Sequence, residues 1–214
     1  MKAVVIGAHL LRDDIEPLAR AIPVGDLYLS ALDIPDDQPL GDRELLVTVA
    51  GVRGKLLETA TFVAIRYGFS LRSDNDALAR CGSMLDSWRE LLTNHRDHVE
   101  LTLKAAADTV RPRPDRKDFS NGASYLRALH DSAQAAAVDP QFHAAVEALI
   151  VPMTVKHRWI HRDEKSIELA ALIERVRLEG LSTAGAELRR RCPSIPFLLS
   201  APWPLEVFAD ADRQ

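Results

Sequence analysis

The sequence has only two cysteines, Cys81 and Cys192, far apart and outside any CxxC spacing. That supplies neither a disulfide framework nor a thiolate zinc cage, and both are read as reduced thiols. No apolar run approaches the ~20 residues that cross a bilayer. The run at Ala3 to Ala8 is too short for a signal-peptide core and soon meets Arg12, Asp13, Asp14 and Glu16, so a cytoplasmic protein, neither secreted nor membrane-embedded, is expected. Positive charge is not in excess. Lys and Arg number 27 against 31 Asp and Glu, a net −4 with pI near 6.0, and this removes the general field that phosphate backbones need, so nucleic acid is not expected as partner.

Catalytic signatures are missing as well. There is no GxxxxGK[ST] loop, no GxGxxG after the first strand, where Gly7 stands alone, and no GxSxG elbow. No cysteine stands beside a histidine base, and no carboxylates are paired in a setting that would raise one pKa. The pairs His157 with His161 and His95 with His98 are not HExxH motifs, and a catalytic zinc needs three converging ligands. Neither a metal nor a cofactor is expected, and the protein is read as a non-enzyme.

What is present is an ordinary globular chain of 214 residues, 47% apolar and 27% charged, able to bury enough surface to offset its conformational entropy. Its length suits two domains. Residues 2–8 and 26–33 are short apolar runs that predict two strands, the second ended by Pro35 and Pro39. From Asp42, the positions Leu45, Leu46, Val49, Val52, Leu56 and Leu57 recur at helical spacing, although Gly51 and Gly54 weaken that helix. Residues 61–68 predict a buried strand, and Ser73 with Asp76 opens a helix whose inward face is Leu78, Cys81, Leu85, Trp88 and Leu92. His98 to Lys104 alternates polar and apolar as a half-buried strand does. The first domain, residues 1–110, is thus expected as β-β-α-β-α-β.

The stretch Arg111 to Lys117, with Pro112 and Pro114 among repelling charges, cannot join a helix or an interior strand and is placed as the domain boundary. This run and Arg189-Arg190-Arg191 do not interleave with aromatics, so a solvated linker and a helix C-terminus account for them. In the second domain, residues 111–214, Phe119 to Ala137 predicts an alanine-rich helix, and Asp139-Pro140 supplies an N-cap and a first-turn proline for another. Strands are expected at 153–160, 166–173 and 196–200, with a helix over 176–191. The fold class is α+β in both domains.

Three blocks carry a resemblance over nearly the whole chain. Val63-Ala64-Ile65-Arg66-Tyr67-Gly68 resembles a leucine-proline-x-arginine-phenylalanine-glycine strand that is followed by a helix and a glutamate-bearing strand, here Val99 to Lys104. Ala123-Ser124-Tyr125-Leu126-Arg127 is similar to a glycine-x-alanine-tyrosine-leucine block. Phe197 to Phe208, with Pro202-Trp203-Pro204 at its centre, resembles a terminal leucine-x-glycine-proline-tryptophan-proline-proline-tyrosine-x-phenylalanine motif. All three resemble signature blocks of the gas vesicle protein F/L family. The first lacks the family proline and has Tyr67 for phenylalanine and Phe69 for threonine; the last has Ala201 for glycine and Leu205-Glu206 for proline-tyrosine.

The resemblance implies a ferredoxin-like N-terminal domain and a helix-rich C-terminal α+β domain with a small sheet. It also implies binding to the major gas vesicle shell protein and to other accessory proteins, as chaperone or minor shell component. The partner-binding candidates are Arg66, Tyr67 and Trp203. Arg66 lies in an apolar run, where an unpaired charge is costly, so Glu100 is expected as its internal partner. Trp203, stiffened by two prolines, either anchors a partner or packs on its own domain, and direct continuation from a core strand favours packing. A reading of another class is a small-molecule-binding regulatory module, since fold alone does not fix function; a deep polar pocket marks that one, and an exposed apolar surface marks the assembly factor.

Overall fold

The computed structural model describes residues 1–16, 18–106, 115–127, 139–163 and 166–209, with the backbone alone at 161–163. Of the expected linker Arg111 to Lys117, residues 111–114 lie outside the described residues and Arg116–Asp118 form a 3-10 turn; much of the expected helix over Phe119 to Ala137 also lies outside them, although residues 122–127 are helical. The chain forms two compact units, Met1–Glu100 with Pro202–Gln214, and Leu101–Ala201.

The first unit is built on an antiparallel sheet. Strands β1 (Lys2–His9), β2 (Arg20–Val24), β3 (Leu27–Ile34), β4 (Val63–Ala64) and β5 (Ser70–Leu71) are arranged β2-β3-β1-β4, with β5 also pairing β1. Strand β2, which the sequence pattern does not mark, ends in a two-residue hairpin in which Val24 pairs Leu27 and Gly25 takes φ +61. That positive φ at the first turn position suits the twist of a hairpin. Pro23 is tolerated because β2 pairs with β3 alone and forms the sheet edge.

Helix α1 (Arg43–Thr59) begins at Asp42, whose side chain accepts from the Glu44 amide, and buries Leu45, Val49, Leu56 and Leu57. Leu46, expected in that stripe, is exposed. The single helix predicted from Ser73 is two, α2 (Asp76–Cys81) and α3 (Leu85–Asn94), joined by a 3-10 turn over Gly82–Met84. Cys81, Leu85, Trp88 and Leu92 face inward as expected, whereas Leu78 is 59% exposed.

In the second unit the sheet runs β7 (Thr154–Asp163), β8 (Ser166–Glu174), β6 (His98–Ala106), β9 (Phe197–Trp203). Helices α4 (Pro140–Leu149) and α5 (Leu178–Arg191) precede β7 and β9. The sequence pattern assigns β6 to the first sheet; the structure pairs it into the second. The α+β class stands, and the β-α-β-β-α-β order of a ferredoxin-like unit is found in β6 to β9. Asp139 caps α4 as predicted, accepting from the Phe142 amide at 2.9 Å. Strand β8 is buried on both faces from Ile167 to Ile173, with Glu168 3.7 Å from Lys104.

Candidate partner-binding cleft

The predicted strand at 61–68 is interrupted. Strand β4 pairs the end of β1 (Val63 with Ala8, Ala64 with Gly7) and β5 pairs its start (Ser70 with Val4, Leu71 with Ala3), so the intervening residues loop out of one sheet edge. The loop is a tight turn in which the Phe69 amide donates to the Arg66 carbonyl at 3.3 Å and Gly68 takes φ +93. A positive φ at the third residue is what a type II turn requires, hence glycine. Opposite the turn, β1 carries its own bulge between Val5 and Gly7. At Gly7 a Cβ would run into Phe62 Cδ2 and meet the Val63 carbonyl at 2.9 Å, so only glycine permits β4 to come this close.

Arg53, half-buried on α1, closes the gap from beneath: Nη2 donates to the Ile65 carbonyl at 2.8 Å and to the Ile6 carbonyl at 3.4 Å. Burial pushes this guanidinium below its ordinary value, and the charge of Glu206 offsets part of that. Tyr67 braces the turn by donating its hydroxyl to the Leu40 carbonyl.

The outer edge of β4 is occupied by the chain's last segment. Leu205 forms a parallel bridge to Val63, its amide donating to the Phe62 carbonyl and its carbonyl accepting from Ala64, both at 2.9 Å. Glu100 then turns the segment away. Its carboxylate accepts from the amides of Glu206 (2.9 Å), Val207 (3.1 Å) and Phe208 (2.9 Å), three successive donors converging on one anion. Glu100 is 2% exposed, and burial pushes its carboxyl up while the three amides pull it back. The expected Arg66–Glu100 ion pair is therefore absent: main-chain amides hold the carboxylate, and Arg66 is exposed with no side-chain hydrogen bond or ion pair among the described residues.

Turn, tail and helix α3 enclose an open cleft of about 500 Å³, lined by Val63, Ala64, Ile65, Arg66, Phe69, Met84, Trp88, Glu206 and Ala209. A guanidinium from Arg80 lies over Phe69, 4.2 Å from the ring centroid. Of the three sequence candidates, the cleft takes Arg66 alone. Tyr67 supports it from the turn, and Trp203 stands two residues before the Leu205 bridge. Its side chain is 49% exposed, whereas Pro204, Leu205 and Phe208 are buried. Sequence reasoning did not pick out Arg53, Phe69 or Met84; the 85–92 stripe marked Trp88 only as core.

Elsewhere, His143 and His157 lie 3.8 and 3.9 Å from Glu147, and His143 stacks on Trp159. Among the described residues no group of three or more such side chains is arranged to hold a metal, and the His161 side chain lies outside them. No helix among the described residues is long and apolar enough to cross a membrane.

The fold is shared with two solved structures. One is the crystal structure of the gas vesicle protein GvpF from Anabaena sp. PCC7120 (TM-score 0.68, 10% identity, 98% of this chain and 96% of that one). The other is the crystal structure of gas vesicle protein GvpF from Microcystis aeruginosa (TM-score 0.69, 11% identity, 97% of this chain and 98% of that one). No curated protein matches the sequence. The family Gas vesicle synthesis protein GvpL/GvpF matches residues 16–209, a span that takes in the Arg66 turn, Glu100 and the clamped tail, and the chain belongs to that family.

Proposed function

We propose that the protein is an assembly accessory of gas vesicles that binds the major shell protein and other accessory proteins, as a chaperone or minor structural component. The observation that carries this reading is convergence. Two of the sequence blocks that resemble the family, and the glutamate strand that follows the first, meet around one open cleft lined by both apolar and polar surface. An open surface of that mixed kind suits a protein segment that must be shielded before assembly. Arg66 and Trp203 offer the side-chain types that most often anchor interfaces, and Tyr67 keeps the Arg66 turn in shape. No catalytic step is assigned, and the protein acts in the cell alongside the vesicles.

The test is capture of the major shell protein from a lysate by the purified full chain, with an unrelated aggregation-prone protein as control. Selective capture is expected. Equal capture of both, or of neither by folded protein, would overturn the assembly reading and favour the ligand-binding alternative.

A further inference from the structure

We infer that the cleft beside Arg66 takes an extended protein segment carrying one carboxylate between apolar side chains, with Arg66 receiving the carboxylate; on the assembly reading above, that segment belongs to the shell protein. Three observations carry it. One wall is β4 with Ile65, whose outer edge the chain's own Leu205 fills only as far as the Ala64 amide before Glu100 turns the tail away. An incoming extended segment meets the same edge where the tail leaves it, as in recognition by strand addition. The floor is apolar and aromatic, from Phe69, Met84 and Trp88, and about 500 Å³ lies within the ~300–1,000 Å³ that bound ligands occupy.

Charge selects among extended segments. The cleft lining carries one cation, Arg66, and one carboxylate, Glu206, while Arg53 and Arg80 lie next to lining residues without lining the cleft themselves. Arg53 is spent on main-chain carbonyls, and Arg80 on Phe69 and the Ser70 carbonyl. The Arg66 guanidinium has no such partner among the described residues, and its planar fork matches a carboxylate in two parallel hydrogen bonds.

The experiment uses the isotopically labelled full chain and two blocked peptides, acetyl-Leu-Phe-Asp-Leu-Val-amide and its Asn counterpart, followed by amide shifts at residues 63–69 and 206–209. The Asp peptide is expected to bind at least fivefold more tightly than the Asn peptide. Arg66→Gln should abolish that preference and Arg66→Lys should restore only part of it. Equal binding of the two peptides, no shift with either at millimolar concentration, or a preference that survives Arg66→Gln each overturns the inference. The outcome is separable from that of the assembly reading. Shell-protein capture that persists in Arg66→Gln, with no peptide preference, removes this cleft chemistry alone; peptide preference without shell capture supports it and removes the assembly reading alone.

Discussion

The carboxylate of Glu100 accepts the main-chain amide of Phe208 at 2.9 Å across 108 positions of sequence, and through that bond and its two neighbours the end of the chain is fixed to the first unit. Removing the acceptor leaves three amides without their anion. Glu100→Ala is expected to cost about 2–4 kcal/mol, since a buried donor left unsatisfied carries its desolvation penalty and charge-assisted bonds are the stronger kind. Urea unfolding measures the loss, and carboxypeptidase should trim the variant faster than the wild type. A change below about 0.5 kcal/mol would mean that water replaces the carboxylate without penalty.

A buried histidine sets a pH dependence. His9 is fully buried, stacks on Phe62 at 5.0 Å and lies 2.9 Å from Ser30 Oγ; because Ser30 donates to the Gly7 carbonyl, Oγ accepts from the His9 Nε2–H. Burial lowers its pKa from 6.5 to about 3. Between those values the unfolded chain holds a proton that the folded chain does not, so stability is complete above pH 6.5 and falls as the pH drops. The slope approaches ~1.4 kcal/mol per pH unit, about 2 kcal/mol lost by pH 5. His9→Gln should flatten that slope in denaturant titrations at pH 5 and pH 7.5. An unchanged slope would assign the acid sensitivity elsewhere.

Two glycines should respond to alanine for different reasons. Gly68 has open space around it, so Gly68→Ala meets only the strain of φ +93, about 1 kcal/mol. Gly7→Ala drives a methyl group into Phe62 and the Val63 carbonyl and should cost more, about 1–3 kcal/mol. Thermal melts of the two variants rank them, and the reverse order would contradict the close approach of β4 to β1.

Trp203 separates binding from stability. With its indole half exposed, Trp203→Ala should change folding stability by no more than about 1 kcal/mol and weaken shell-protein capture at least tenfold. A clear drop in melting temperature with capture intact would return Trp203 to a packing role.

Much of the scaffold was legible because periodicity reports burial. The alternation in His98 to Lys104, the stripe from Asp42 and the Asp139-Pro140 cap all became the expected elements. Strand β2 escaped because Pro23 argues against a strand, and only its place at the sheet edge makes it acceptable. Apolar spacing runs smoothly through Gly82, so it could not show that a 3-10 turn divides the helix there. At the cleft, the arginine turn was legible as a block of residues but not as a turn. An apolar run around one charge reads as a strand with a buried ion pair, and main-chain amides, the true partners of Glu100, leave no mark on a sequence.

The first unit is assembled from residues 1–100 and from Pro202 onward, with all of Leu101–Ala201 between them in the chain. Glu206 and Ala209 therefore join the cleft only after the entire second unit has been synthesised, whatever the first sheet does in the meantime. Until then a nascent chain can pair β1 with β3 yet lacks the residues that close the cleft. At ~5–20 residues per second the delay after Glu100 is about 5–20 s. Closure of the cleft is consequently a late event in synthesis, set by Glu206 and Ala209 rather than by the sheet they join.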